Sequence, residues 1–181
     1  MTTGPATGAA AFEGRWSAFL RDVGHAFSHT RPIPRLHCHT MQSILPDSVR
    51  AAVTGGRLAH LVTLNADGSP QVTCVWVGID GEELVTAHLG AYQKVKNVAR
   101  DPRVALTLET GYTGPSGMAE CLVVYGRARV VEGGAPELLQ ELAQVYIGPG
   151  VKFPPIDNPP PGYVLHIAPE RFSGHGPWAT A

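Results

Sequence analysis

The chain has 181 residues, of which 44% are hydrophobic and 16% charged, and its formal net charge at pH 7 is −1. This apolar share supports a buried core and excludes a wholly disordered chain. A near-neutral charge lacks the basic footprint of a nucleic-acid binder, and no apolar run reaches the length of a membrane-spanning helix, so we expect neither a nucleic-acid partner nor a membrane partner.

The cysteines and the N-terminal sequence predict a cytoplasmic location. The chain has three cysteines, an odd number, and they are widely spaced: Cys38, Cys74 and Cys121. This pattern is typical of reduced thiols rather than of a disulfide framework. The N-terminus also shows no basic leader followed by an apolar stretch, so no secretory signal is expected.

Residues 1–40 are predicted to form an N-terminal extension. Residues 1–14 are rich in Thr, Gly and Ala and are expected to be disordered. A short amphipathic helix follows, and residues 29–40 contain two prolines that oppose regular structure. The apolar stripe of that helix is formed by Trp16, Phe19, Leu20, Val23 and Phe27. One hypothesis is that translation starts at Met41.

The same extension carries a cluster of side chains that bind metals in other proteins. Its members are His25, His29, His37, Cys38 and His39. Imidazole and thiolate bind zinc, copper or haem iron. Three of the five residues are contiguous, so their side chains diverge, and the spacing matches no zinc finger. We therefore predict no metal site.

Residues 41–176 are predicted to form one domain, and residues 177–181 a C-terminal tail. A first helix begins near Pro46 and ends at the glycine pair 55–56. From Leu58 the apolar residues recur at every second position, which indicates strands. Turn residues divide this part into strands at 58–65, 71–79, 83–88, 103–109, 121–131 and 163–168, and helices at 92–100 and 137–147.

The connections between these elements favour a mostly β fold with small peripheral helices. Asp80 and Gly81 form a two-residue hairpin turn, so the strands around them are antiparallel. Five or six antiparallel strands favour a barrel, because closure removes exposed edges. In the helix at 137–147 the side chains expected to face inward are Leu138, Leu142 and Val145.

Two motifs in fixed order resemble a known family. A D-G-x-P turn at residues 67–70 joins the first two strands, and the block K-x-x-N-x-x-x-D-P-R-V spans residues 94–104. Together they resemble the flavin- and deazaflavin-binding split-barrel superfamily, the pyridoxamine 5′-phosphate oxidase-like proteins. The resemblance covers about residues 41–174. It implies an antiparallel split β-barrel and a homodimer with two cofactor sites at the subunit interface.

The resemblance also implies where the cofactor binds. The ring lies against the second strand, and the phosphate lies at the start of the helix at 92–100. The implied cofactor-binding residues are Thr73, Val75, Trp76, Thr86, His88, Tyr92, Gln93, Lys94 and Asn97. Lys94 takes the place of the phosphate-binding lysine. The residues support this independently, because a helix N-terminus presents unpaired N–H groups, and two of the three lysines, Lys94 and Lys96, lie in this turn.

Departures from the oxidase pattern favour the branch of the superfamily that binds coenzyme F420. Gln93 stands where the oxidases have an arginine, and the C-terminal sequence is short. We therefore expect an F420-dependent oxidoreductase that transfers a hydride between reduced deazaflavin and a small unsaturated or quinone-like acceptor. The alternatives are an FMN-dependent, pyridoxamine 5′-phosphate oxidase-like enzyme and a non-catalytic flavin-, deazaflavin- or haem-binding protein.

No catalytic residue is assigned. The sequence contains no G-x-S-x-G, H-E-x-x-H, P-loop or G-x-G-x-x-G motif, as expected where a cofactor carries the redox chemistry. The candidate proton donors are His88, Tyr125 and His175. His60 and His166, which lie in strands, are expected to be structural. Loops 111–117 and 148–162 are expected to build the acceptor pocket.

Overall fold

The computed structural model describes residues 45–178, so the predictions for residues 1–40 lie outside the described part. The described part has three helices: α1 (Asp47–Thr54), α2 (Gln93–Arg100) and α3 (Ala135–Tyr146). It has seven strands: β1 (Ala59–Leu64), β2 (Pro70–Val75), β3 (Gly78–Asp80), β4 (Glu83–His88), β5 (Arg103–Thr113), β6 (Ala119–Glu132) and β7 (Tyr163–His175). Over residues 45–178, none of the helices has the length and apolar character needed to cross a membrane.

The seven strands form one sheet in the order β2-β1-β5-β6-β7-β4-β3. Every neighbouring pair is antiparallel. The predicted mostly β, antiparallel split-barrel fold is confirmed, and the sheet is not closed.

The strand predicted over residues 71–79 is wrong, because the chain there forms two strands. β2 pairs with β1 as far as Val75, and β3 pairs with β4 from Gly78, so Trp76 and Val77 pair with neither neighbour. β2 and β3 are therefore the two edges of the sheet. Three Cα–Cα steps join Val75 to Gly78 and keep these edges within about 11 Å of each other. The sheet curls until its edges nearly meet, and it is split at that point.

Residues 76–77 thus interrupt the strand pairing. A side chain from α3 forms the hydrogen bonds that the backbone lacks at this interruption. The Val77 N–H donates a hydrogen bond to the Tyr146 hydroxyl at 3.0 Å, and that hydroxyl lies 3.1 Å from both the Val77 and the Arg57 carbonyl oxygens. Burial raises the pKa of the Tyr146 phenol, so its O–H stays a donor. Backbone groups away from water require such partners. Tyr146 thus replaces the missing strand neighbour.

The inner face of the sheet and the helices α1 and α2 form one hydrophobic core. Its members include Val49, Val53, Leu61, Leu84, Val95, Val98, Leu106, Leu108, Leu122, Val124, Leu165 and Ile167. Trp178, assigned to the tail at 177–181 in the sequence analysis, also belongs to this core, and its indole N–H donates to the Cys121 carbonyl at 3.0 Å.

Helix α3 covers the outer side of the sheet at β3 and β4. The predicted inward stripe is wrong at Val145, whose side chain is 53% exposed. Leu142 is buried as predicted and Leu138 is half-buried, and the other buried residues of α3 are Ala135, Leu139 and Ala143. A Cβ atom at Gly78 would lie 2.9 Å from the Leu142 side chain, so a glycine there lets α3 approach the interruption closely.

We expect Tyr146→Phe to lower the free energy of unfolding by about 1–3 kcal/mol, because it leaves backbone groups of Val77 unpaired while keeping the ring. Urea unfolding of the full chain measures the change. Tyr112→Phe is the matched control, since Tyr112 is 72% exposed and its loss should change stability by less than about 0.5 kcal/mol. Equal stability of Tyr146→Phe and the wild type would contradict the role of the hydroxyl.

Candidate functional site

A cleft of about 230 Å³ opens where the interruption separates the end of β2 from the end of β4. It is lined by Leu58, Cys74, Val75, Trp76, Ala87, His88, Lys94, Leu139 and Phe153. These residues come from the strand ends, α2, α3 and the loop after α3. The volume is below the roughly 300 Å³ at which sites for drug-sized ligands begin. This chain by itself therefore encloses only part of a larger ligand.

Lys94 is the cation of this cleft. It occupies the second position of α2, its side chain is partly buried, and this burial lowers its pKa. Lys94 makes no ion pair within residues 45–178. The backbone N–H groups of Gln93 and Lys94, in the first turn of α2, also find no acceptor in the described part of the chain. An unpaired ammonium group beside free N–H groups at a helix N-terminus suits an anion.

His88 lies beside Lys94 in the cleft and is neutral. Its side chain is 6% exposed, and burial, with a smaller contribution from the Lys94 charge, lowers its pKa to about 3. Its Nε2 lies 3.0 Å from the hydroxyl of Thr86, which is completely buried. The Thr86 hydroxyl donates to Nε2 in one tautomer of the neutral imidazole and accepts from it in the other. His88 therefore offers the cleft a hydrogen bond but no charge.

Trp76 lies in the interruption between β2 and β3, not on the ring-facing strand where the resemblance puts it. Its ring stacks on Tyr146, with centroids 5.2 Å apart and planes at 12°. It also contacts Phe153 in a tilted arrangement, at 4.9 Å and 50°. Trp76 and Phe153 form an aromatic wall of the cleft, because offset and tilted ring pairs are favourable.

Asn97 and Gln93 hold α2 in place and do not line the cleft. Asn97 is completely buried, and its amide N–H groups donate to the side chains of Thr63 and Asn65, each at 3.0 Å. Its amide oxygen accepts a hydrogen bond from Gln93 at 2.8 Å. Tyr92 is exposed outside the cleft, with its ring centroid 5.5 Å from the Lys94 ammonium nitrogen.

Thr73 has the one buried side-chain polar atom in the described chain that lacks a hydrogen-bond partner. It lies on β2 two residues before Val75, and alternate residues of a strand share a face. Its hydroxyl therefore faces the same side of β2 as a residue of the cleft wall. A buried hydroxyl without a partner fits a ligand that brings one.

Of the candidate proton donors, His88 is the one that lines the cleft. Tyr125 lies on the outer face of the sheet, with the Arg171 guanidinium carbon 3.8 Å from its ring centroid. His175 is 3.0 Å from the Ser116 hydroxyl, in the hairpin between β5 and β6.

The two histidines expected to be structural differ. His60 is exposed, so a buried structural role is wrong for it. His166 is partly buried and lies 3.1 Å from the Glu83 carboxylate, as expected of a structural histidine.

Five residues of the cleft were missed in the sequence analysis: Leu58, Cys74, Ala87, Leu139 and Phe153. Phe153 lies in loop 148–162, which was expected to contribute to the acceptor pocket, whereas no residue of loop 111–117 lines the cleft. Within residues 45–178, no group of three His, Cys, Asp or Glu side chains is arranged to hold a metal ion. The cluster of His25, His29, His37, Cys38 and His39 lies outside those residues.

Comparisons with known proteins agree with this architecture. Residues 45–176 match the family model for pyridoxamine 5′-phosphate oxidase. The chain is similar in structure to an F420 reductase, at 26% identity and a TM-score of 0.58, over 71% of this chain and 98% of that one. It is also similar to a conserved hypothetical protein from Mycobacterium tuberculosis, at 25% identity and a TM-score of 0.57, over 74% and 86% of the two chains.

A third similarity, to a proposed pyridoxamine 5′-phosphate oxidase from Listeria innocua, shows the fold alone. The identity is 21% and the TM-score 0.51, over 68% of this chain and 92% of that one. No curated protein sequence matches the chain significantly.

The depressed pKa of His88 makes stability depend on pH. Between about pH 3 and pH 6.5 the unfolded chain binds a proton at His88 that the folded chain does not. His88 therefore lowers the free energy of unfolding as the pH falls through this range. We expect the stability difference between the wild type and His88→Gln to change by up to about 1.4 kcal/mol per pH unit in this range, in the direction that favours the variant in acid. Urea unfolding from pH 4 to pH 7 measures it. A stability difference for His88→Gln that does not change over this range would show that His88 is not buried neutral.

Proposed function

The chain belongs to the pyridoxamine 5′-phosphate oxidase family of flavin- and deazaflavin-binding split barrels, and on that premise we propose that it is an oxidoreductase that uses coenzyme F420 to reduce a small quinone-like acceptor. The observation that carries the proposal is Lys94, a cation without an ion-pair partner in the described chain, in a cleft walled by Trp76 and Phe153. The similarity to an F420 reductase supports the same cofactor.

The residues of the cleft fit such a cofactor. Lys94 and the free N–H groups of the first turn of α2 would hold the phosphate. Val75 and Trp76 would pack on the ring. When bound in its reduced form, the deazaflavin supplies a hydride, which is two electrons and one proton, and a quinone becomes a hydroquinone by taking a second proton.

The charge of the cleft favours F420 over FMN, the alternative cofactor. FMN ends in a phosphate monoester, which carries close to two negative charges at neutral pH. The phosphate of F420 is a diester with a single charge. Among the residues that line the cleft Lys94 is the one cation, because His88 is neutral and Gln93 stands where the oxidases have an arginine. One positive charge balances the phosphodiester of F420 better than the monoester of FMN, and the glutamate carboxylates of F420 would lie outside the cleft.

His88 and the apolar lining have separate tasks in this proposal. The neutral imidazole would exchange a hydrogen bond with the bound ligand and adds no charge beside Lys94. Leu58 and Leu139 present apolar surface to the occupant and displace water from it. The second proton of the acceptor comes from solvent, since His88 holds no excess proton above about pH 3.

A homodimer is part of the proposal, and one outer face of the sheet supports it. Helix α3 covers β3 and β4, whereas the outward row Val72, Val62, Ala105 and Tyr125 runs across β2, β1, β5 and β6. Val72 is 56% exposed, and Tyr125 is exposed as well. An apolar stripe across four strands is suited to a second copy of the chain. The exposed Cys74 on β2 also lines the cleft, so a partner on this face would lie beside it.

We expect Lys94→Ala to weaken F420 binding by about 1–3 kcal/mol, the range of a charge-assisted contact. Isothermal titration of the full chain measures the affinity. Lys96→Ala is the matched control, because Lys96 is exposed on the same helix and does not line the cleft.

Titration with FMN in parallel tests the alternative cofactor, and FMN binding tighter than F420 would overturn the choice of cofactor. Binding without turnover of reduced F420 by any quinone would identify a carrier instead of an enzyme.

The dimer has its own test. We expect Val72→Asp to convert a dimer to a monomer, because it places a charge in the apolar row of a two-fold interface. Light scattering after size-exclusion chromatography measures the mass. Val145→Asp, at a similarly exposed valine on α3, should leave the mass unchanged. A monomeric wild type would contradict the homodimer.

A further inference from the structure

Two glutamines of α3 hold the loop that follows this helix. Gln140 and Gln144 are four residues apart, so they lie on one face of the helix. The Gln140 amide N–H donates to the Val151 carbonyl at 2.8 Å, and its amide oxygen accepts from the Phe153 N–H at 2.9 Å. Gln140 thus pairs with the loop backbone on both sides of residue 152, as a neighbouring strand would.

Gln144 adds a second pair of bonds to the same segment. Its amide N–H donates to the Val151 carbonyl at 3.0 Å, and its amide oxygen accepts from the Gly150 N–H at 2.8 Å. Each glutamine uses both its donor and its acceptor. A glutamate at either position could accept these bonds but could not donate, so the segment would lose half of its attachment.

The consequence of this clamp is the position of Phe153. Its backbone is bonded to Gln140, and its ring lines the cleft against Trp76. Trp76 is itself stacked on Tyr146 of the same helix. Helix α3 therefore places both aromatic side chains of the cleft, Trp76 by stacking and Phe153 through the two glutamines.

We propose that Phe153 determines which acceptor the cleft takes, with Gln140 and Gln144 as its positioning residues, and that the acceptor is a flat, uncharged ring of the quinone type. The proposal rests on the proposed function in so far as the acceptor is the redox substrate. The class follows from the lining residues that the proposed function does not place against the cofactor phosphate or ring, Leu58, Leu139 and Phe153, all of which are apolar. Flat uncharged rings gain from aromatic contact without the cost of burying a charge.

The first experiment measures quinone binding without any cofactor. The probe is 2-methyl-1,4-naphthoquinone, followed by quenching of tryptophan fluorescence in the full chain, with Trp76→Phe to assign the signal. We expect Phe153→Leu to weaken binding about fivefold, the effect of losing one aromatic contact. Gln140→Glu should give the same loss, and adding it to Phe153→Leu should give little more, because both changes act through one ring. This lack of additivity distinguishes a residue that acts by positioning Phe153 from one that contacts the quinone itself.

A second measurement follows the loop itself. Hydrogen exchange at the Gly150 and Phe153 amides should quicken in Gln140→Met and Gln144→Met, since these amides donate to the two glutamines and methionine offers them no such acceptor. Glu141→Gln is the matched control on the same helix and should change neither exchange nor quinone binding. Additive losses in Gln140→Glu and Phe153→Leu, or wild-type affinity in Phe153→Leu, would overturn the proposal.

The third measurement separates this proposal from the proposed function. With reduced F420 supplied, Phe153→Leu should change the ratio of the KM values for 1,4-benzoquinone and the naphthoquinone about fivefold. Failure of F420 to bind would overturn the proposed function while the cofactor-free quinone affinities still test Phe153. Normal turnover with an unchanged KM ratio would overturn the role of Phe153 and leave the cofactor assignment intact.

Discussion

The hydroxyl of Tyr146 replaces a strand neighbour for Val77, and the cleft depends on this replacement. A continuous strand from Pro70 to Asp80 would have to pair along its whole length or leave buried backbone groups without partners. The phenol accepts from one backbone group of Val77 and lies beside its carbonyl, so the chain can leave β1 after Val75 and join β4 at Gly78. The cleft opens at that change of partner. Trp76, which lines the cleft, stacks on the same phenol ring, so Tyr146 also supports the wall of the cleft.

Burial lowers the pKa of both His88 and Lys94 in the cleft, and the consequence for the charge differs between them. It lowers the pKa of His88 to about 3, which removes this side chain from the charge balance under physiological conditions. Burial also lowers the pKa of Lys94, because the ammonium group is poorly solvated and forms no ion pair with a carboxylate in the described chain. A bound anion restores the interactions that burial removes. The cleft thus presents one positive charge, that of Lys94, and His88 adds none above about pH 3.

Local sequence patterns predict the strands and helices whose formation depends on residues close together in the chain. Alternation and turn residues locate β1 and β4, and the spacing of Val95 and Val98 gives the buried face of α2. The interruption at Trp76 escapes prediction because the apolar pattern continues through it, and its hydrogen-bond partner is 69 residues away. Leu139 and Phe153 escape for a similar reason: their place in the cleft depends on how α3 and its loop pack, which no local spacing reports.

The K-x-x-N motif shows why the family is easier to recognise than the cofactor. Asn97 is buried and bonded to Thr63 and Asn65 on the β1 side, whereas Lys94, one turn earlier, lines the cleft. The asparagine has no freedom to contact a ligand, because its amide donors are both occupied within the chain. The spacing in the motif therefore reports how α2 is attached to the sheet, a property of the fold. His88 and Phe153 line the cleft beside Lys94, and neither belongs to the motif. A match to the motif places Lys94 at the cleft, and the charge and shape around Lys94 are set by residues outside the motif.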